Sequence, residues 1–280
     1  ALPAETWTTR VGDGAMGDPI GRTCSISRST YATFPLMGRA EGRVQGKVAL
    51  ISGGARNIGL GIARRLREDG WRVFVLDIAE PEDPALRGDA QQVDLSDPEA
   101  TTAALRNILK EGPVTCLVNN VGIVKPAPFD AVEIDDFDGT MHLNLRPSIL
   151  AAKLLVPAMR AAGGGRIVMN TSRVTKGKID RTLYSASKGA IQSMARTWAL
   201  ELARDGITVN CVAPGPIATT AFWENNPEDA PETRAIVDAV PMGRMGTPPD
   251  VAQAGAFFAD ARSGFITGQT VFVCGGTAVG

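Results

Sequence analysis

From Val44 onward, short apolar runs alternate with helical stretches, and this alternation admits few folds. The runs Val48–Ser52, Arg72–Asp77, Gln91–Asp94, Cys116–Asn119, Arg166–Asn170, Thr208–Ala213 and Thr270–Val273 have the length and composition of buried strands. Between them lie the helical stretches Ile58–Asp69, Pro98–Glu111, Ile134–Ala162, Tyr184–Asp205 and Pro248–Ala259. Gly70 stops the first helix, Ser96 is the expected N-cap of the second, and Gly163–Gly165 ends the third. A helix after almost every strand implies parallel pairing, because a parallel connection needs a crossover long enough to hold one. The expected fold class is α/β: a single-domain doubly wound parallel sheet with helices on both faces. No internal repeat and no linker interrupts it after residue 47.

Bulk composition excludes several functions. A formal net charge of −1 gives no global field for nucleic acid or a membrane surface. No apolar run reaches the roughly 18 residues that span a bilayer. One histidine, His142, rules out multi-histidine metal sites and a Ser-His-Asp hydrolase; it is expected to pack structurally, and no metal is expected. Cys24, Cys116, Cys211 and Cys274 form no CxxC pair and are read as free buried thiols of a reducing compartment, which points to the cytoplasm. Residues 1–43 have neither strand nor helix periodicity. They lack the apolar core of a secretory signal and carry too many acids for a transit peptide, so a loose N-terminal extension is expected there, with the domain at 44–280.

The turn Ser52-Gly53-Gly54-Ala55-Arg56-Asn57-Ile58-Gly59 leaves one strand and opens a helix. A helix N-terminus offers unpaired N–H groups and partial positive charge, which suits a pyrophosphate if the backbone can come close. Gly53 and Gly59 allow that approach; Arg56, Asn57 and Ile58 complete the cradle of a Rossmann-type nucleotide site. A plain tight turn has the same pattern. The second strand ends in Asp77, 24 positions after Gly53. A carboxylate there accepts from ribose hydroxyls and repels a 2′-phosphate, so NAD(H) is preferred; Arg56 could meet that phosphate, which keeps NADP(H) possible.

Tyr184-Ser185-Ala186-Ser187-Lys188 places a phenol and an amine one helical turn apart on one face. A nearby cation lowers the pKa of a phenol from about 10 toward neutrality, where it can act as acid and base. Apart from Tyr31 in the extension, Tyr184 is the chain's one tyrosine. Ser172 follows a strand and faces the ligand edge of a parallel sheet, with Thr171 beside it as a rival.

Together these residues resemble the classical short-chain dehydrogenase/reductase family over about Val44 to Gly276. The family's TGxxxGxG stands here as Ser52-Gly53-x-x-x-Asn57-x-Gly59, with Asn57 for the middle glycine; asparagine is the non-glycine residue that best tolerates positive φ. Asp94-Leu95 matches its adenine contact, and Asn119-Asn120-Val121-Gly122 its NNAG segment. The resemblance implies that Ser172 steadies the substrate oxygen, that Asn144 helps hold a water chain from Lys188, and that Tyr184 and Lys188 also touch the cofactor. It further implies that Pro214, Ile217 and Thr219 hold the nicotinamide, and that the protein is a homo-oligomer, a tetramer, using the Ile134–Ala162 and Tyr184–Asp205 helices. Ile266-Thr267-Gly268-Gln269 and Gly275-Gly276 match as well, with Cys274 where the family often has Asp.

The expected activity is NAD(P)(H)-dependent hydride transfer to or from a small alcohol or ketone. The alternatives are a 3-oxoacyl-thioester reductase and a non-catalytic nucleotide-binding regulator. Residues 220–245 are the expected lid, where Phe222, Trp223, Met242 and Met245 either line an apolar pocket or pack the lid down. Arg173, Lys176, Lys178 and Arg181, against one acid, Asp180, are either a solvated loop or a basic rim for an anionic substrate, a CoA phosphate or an acidic carrier protein.

Overall fold

The computed structural model describes residues 46–278; the expectations for residues 1–43, including Tyr31 and Cys24, lie outside them. The sheet is built from β1 (Val48–Ser52), β2 (Arg72–Asp77), β3 (Ala90–Gln92), β4 (Cys116–Asn119), β5 (Gly165–Asn170), β6 (Ile207–Pro214) and β7 (Thr270–Val273). Every pairing is parallel, in the order β3-β2-β1-β4-β5-β6-β7. β5 and β6 are buried along their whole length, as strands covered on both faces must be.

The helices are α1 (Asn57–Glu68), α2 (Pro98–Lys110), α3 (Asp135–Ala161), α4 (Thr182–Leu202), α5 (Thr220–Asn225), α6 (Pro231–Asp238) and α7 (Pro248–Ala259). One sheet face buries Leu50, Leu117, Ile167 and Val209 against Leu105, Leu155 and Ile191 of α2, α3 and α4. The other buries Ile51, Val75, Val118 and Val168 against Ile62 and Leu66 of α1 and Val251 and Phe258 of α7. Strand order reverses between β1 and β4, so their carboxyl ends open a crevice there.

Local chemistry departs from expectation in a few places. α2 is capped by Asp97, whose carboxylate accepts from Ala100 N at 2.9 Å, not by Ser96. Proline at the next position fixes the first helical turn after Asp97, and Ser96 instead donates to Asp94. The third strand runs from Ala90 to Gln92, so Asp94 lies in the turn beyond it. His142 is exposed on α3 rather than packed. α5 and α6 fall in the expected lid; at six and eight residues they are too short to show a period. Cys116, Cys211 and Cys274 are buried free thiols. Among the described residues no helix is long and apolar enough to cross a membrane.

Gly59 shows how tightly the first turn is closed. A Cβ there would stand 2.0 Å from the Gly53 carbonyl oxygen and 2.7 Å from Asn120 Nδ2. Gly139, exposed within α3, has nothing within 4 Å of the same position. Gly59→Ala should therefore destabilise the fold by about 1–3 kcal/mol or more through overpacking. Gly139→Ala should stabilise it by up to about 1 kcal/mol through helix propensity. Denaturant unfolding of the two variants reads both signs; equal effects would mean the turn has slack.

Candidate active site

The crevice between the ends of β1, β4 and β5 is held in register by side chains. Ser52 Oγ accepts from the Asn120 and Val121 amides at 3.1 and 3.3 Å. Asn120 donates through Nδ2 to the Gly53 carbonyl at 2.7 Å, and its Oδ1 accepts from Asn170 Nδ2 at 2.7 Å. Three strand ends are thus joined by polar groups that would otherwise lack partners. Asn120 and Asn170 carry this task; strand-end position in register is the signal that would have found them. Asn119 is buried one position earlier, its Nδ2 against Met169 Sδ at 3.0 Å and its Oδ1 without a partner.

On one side of the crevice lies the α1 N-terminus. Arg56 is the N-cap residue, exposed, with no side-chain cap hydrogen bond, and no acid occupies the first turn. By contrast, Asp97 caps α2 and Thr219 caps α5 with their own side chains. The amides opening α1 are therefore open to an anion, the requirement for a dinucleotide pyrophosphate. Asn57 takes φ +52°, as its substitution for glycine requires, and Oδ1 accepts from Thr220 N and Oγ1 at 3.0 and 3.2 Å. It joins the phosphate turn to the start of α5. Asp77 Oδ2 accepts from Ala55 N and Oδ1 from Ala79 N, both at 3.0 Å, so its carboxylate also shapes the strand end. Asp94 is exposed and capped onto Ser96, and the Leu95 side chain packs in the core.

A cavity of about 440 Å³ continues from the crevice. Ile58, Gly122, Ser172, Tyr184, Pro214, Ile217 and Thr219 all line it, so seven of the expected site residues meet on one wall system. Of the four apolar lid residues named above only Phe222 lines it, together with Ala221, Asn226 and Ile236 of the same segment. Trp223 stands edge-on to Phe222 with centroids 5.0 Å apart, and Met242 is exposed. Of the two readings for these four residues, lining the pocket holds for Phe222 and not for Trp223, Met242 or Met245, because α5 turns one aromatic inward and leaves the other outside.

Ser172 follows β5 in extended conformation, with Oγ accepting from Val174 N. The Thr171 hydroxyl is committed to the Lys188 carbonyl at 2.9 Å, which leaves Ser172 as the available hydroxyl. Asn144 is fully buried. It accepts from Ile123 N at 2.8 Å and donates to Ile123 O and to Ser187 Oγ, so it ties the loop after β4 to α4. Gly122 is glycine because a Cβ would press on Asn144 Oδ1 and Lys188 Nζ at 3.1 and 3.3 Å. Lys188 is 3% exposed and donates to the Asn170 carbonyl at 2.8 Å, with Nζ 5.7 Å from the Tyr184 ring centroid.

Electrostatics corrects one expectation. The phenol of Tyr184 is not lowered; burial pushes it up to about 12, against smaller downward pulls from hydrogen bonding to Ser172 and from the charge of Arg181. Lys188 does not offset this, because its amine faces the Asn170 carbonyl and burial brings it down to about 8. The consequence for stability has a definite sign. Between about pH 8 and about pH 10.5 the unfolded chain keeps a proton on Lys188 that the folded chain has released. Stability from this group is thus complete above the unfolded value and lost as pH falls through about 8. Relative to Lys188→Met, the wild-type unfolding free energy should rise from pH 8 toward pH 9.5, a window set by that depressed amine. Parallel curves for the two proteins would contradict a desolvated amine.

Comparison with known proteins agrees with this geometry. Residues 53–278 match the family model described as enoyl-(acyl carrier protein) reductase. The chain is 35% identical over 247 residues to the (2S)-((R)-hydroxy(phenyl)methyl)succinyl-CoA dehydrogenase subunit BbsD of Thauera aromatica, covering 84% of this chain and 98% of that protein. It is 34% identical over 249 residues to the 3-oxoacyl-(acyl-carrier-protein) reductase FabG of Thermotoga maritima, covering 85% of this chain and all of that one (100%). Among solved structures, a blue fluorescent protein from a metagenomic library, in complex with NADPH, is 33% identical, with TM-score 0.74 over 84% of this chain and 98% of that one. With the expected parallel sheet, and a match to the family over most of its length, the chain belongs to the short-chain dehydrogenase/reductase family of oxidoreductases.

Proposed function

We propose that residues 44–280 form a dehydrogenase or reductase that moves a hydride between a nicotinamide and a secondary alcohol or ketone, with Tyr184 as acid and base. One observation carries this reading: Tyr184 and Ser172 line the same cavity as Ile58 at the phosphate turn and Thr219 at its far side. A substrate oxygen between Ser172 and Tyr184 receives two hydroxyl hydrogen bonds, which stabilise charge developing on it. In reduction Tyr184 gives its proton to that oxygen, and in oxidation it takes one. A bound nicotinamide would supply the hydride chemistry, and its oxidised form would add positive charge to a site where Tyr184 holds or takes the proton. Lys188 holds the cavity floor through the Asn170 carbonyl and supplies the chain's own cation near the ring. Asn144, held between Ile123 and Ser187, fixes the backbone around that amine.

NAD(H) is the preferred cofactor in this reading, because the Asp77 carboxylate sits where a 2′-phosphate would be repelled. Exposed Arg56 keeps NADP(H) usable. Asn57 and Gly59 set the turn, and Asn119 and Asp94-Leu95 serve as supports around the nucleotide rather than as cavity wall. The subunits form a homotetramer through α3 and α4, whose exposed Ile149 and Leu200 are the kind of apolar surface an interface covers. Buried thiols at Cys116 and Cys211 suit the reducing cytoplasm.

Tyr184→Phe should lower kcat by roughly 10²–10⁴-fold while NADH binds within about threefold of wild type. Lost NADH binding would make the tyrosine structural, and retained turnover would remove it from the chemistry. Asp77→Ala should cut the kcat/KM ratio of NAD over NADP by about tenfold, an energy near 1.4 kcal/mol; an unchanged ratio in a protein of normal melting temperature sinks the ribose contact.

A further inference from the structure

The loop between Ser172 and Tyr184 separates into two kinds of cation. Lys176 is exposed, with its amine 5.5 Å from the Phe272 ring centroid. Arg173, Lys178 and Arg181 are instead half-buried and line the cavity itself, beside Ser172 and Tyr184. The lining contains no aspartate or glutamate. None of these three cations is in an ion pair among the described residues. Elsewhere the chain does pair its arginines: Arg64 with Asp83, Arg72 with Asp89, Arg160 with Asp205, Arg244 with Asp250 and Arg262 with Asp260. A half-buried cation outside any ion pair is unfavourable, and neighbouring cations repel one another. Burial, followed by the charges of Arg181 and Arg173, holds the Lys178 amine below its ordinary value against a smaller opposing pull from Asp180.

Their positions are fixed by the backbone. Asp180 takes φ +58°, unusual for a residue with a side chain, and its carbonyl accepts from Ala127 N at 3.2 Å and from Arg181 Nη1 at 2.8 Å. Ala127 and Arg181 form a parallel bridge, and the Arg181 carbonyl accepts from Ser185 N at 2.7 Å as α4 begins. At the other end, Thr175 donates to the Ser172 carbonyl and accepts from Gln192 Nε2. The loop is a braced platform, and the two hydroxyls proposed to hold the substrate oxygen stand at its two ends.

We infer that Arg173, Lys178 and Arg181 form an anion subsite, and that the substrate is a small hydroxy or oxo compound carrying its own carboxylate or phosphate. This rests on the oxidoreductase reading above for the position of the reacting carbon, while the subsite itself can be tested without turnover. A fork of planar guanidinium donors beside an ammonium is suited to carboxylate and phosphate oxygens alike.

Binding and turnover separate the two claims. The full chain, with and without NADH, is titrated calorimetrically with malonate, phosphoglycolate and the neutral malonamide. Malonate or phosphoglycolate should bind at least tenfold more tightly than the amide, and the stronger of the two identifies the anion. The triple variant R173Q/K178Q/R181Q should lose that margin while keeping its melting temperature, and Lys178→Arg should retain it. In turnover, 3-oxobutanoate should exceed its methyl ester in kcat/KM by tenfold or more, a margin the triple variant removes. Equal binding of anion and amide, or an unaltered margin in the triple variant, overturns the subsite. A preference for the ester overturns it too and leaves the oxidoreductase reading standing. Anion binding without turnover of any alcohol or ketone keeps the subsite and sinks that reading. If only a carrier-bound 3-oxoacyl thioester depends on the three cations, and malonate and phosphoglycolate never bind, a carrier-protein surface replaces it.

Discussion

The site depends on a small polar stitch at the carboxyl ends of three strands. Ser52, Asn120 and Asn170 bond one another's backbones and amides across β1, β4 and β5. Parallel strands end in unpaired amides and carbonyls, and in a crevice these cannot all reach water. Here the stitch satisfies the Asn120 and Val121 amides and the Gly53 carbonyl and ties the three strand ends together. The Asn170 carbonyl then receives Lys188, and the Gly53 carbonyl leaves room for nothing larger than glycine at position 59. The turn after β1 and the Tyr184–Lys188 pair are thus positioned by one network, where loss of one partner would leave several buried groups unsatisfied.

A second layer sits behind the first. Asn144 takes both backbone groups of Ile123 and the hydroxyl of Ser187, which in turn donates to the Tyr184 carbonyl. The helix that carries Tyr184 and Lys188 is therefore anchored to the loop after β4 by a buried amide from α3. This arrangement places side chains through rigid elements, which is what a reaction needing sub-ångström alignment demands. The electrostatics are less complete. Burial raises the phenol and depresses the amine, so the charged form of each is held less firmly at the centre than it would be in water.

The fold was legible because its signals are long-range in pattern and local in chemistry. β1, β2, β4, β7 and α7 have the bounds that apolar runs and turn residues imply. The tight turn over residues 53–59 was legible from its glycines, and the Tyr184–Lys188 pair from helical spacing. What composition could not reveal were consequences of tertiary direction. Asp97 rather than Ser96 caps α2 because the competing hydroxyl found Asp94. Trp223 stays off the cavity because the six-residue α5 sets its facing, and Met242 lies in the chain beyond α6. The lowered phenol failed for a related reason: spacing placed an amine on the same helical face, but the amine turned to a carbonyl that no local pattern announces.

Asn57 carries an implication for how the protein breathes. Its side-chain oxygen holds both the amide and the hydroxyl of Thr220, so the first residue of α5 is fastened to the turn expected to grip the pyrophosphate. Swinging that short helix outward means releasing the fastening, and loosening the turn slackens the helix. By thermodynamic reciprocity, whatever tightens one tightens the other. A glycine at this place would lack the oxygen that makes the fastening, so here the start of α5 is held by the side chain of the turn itself.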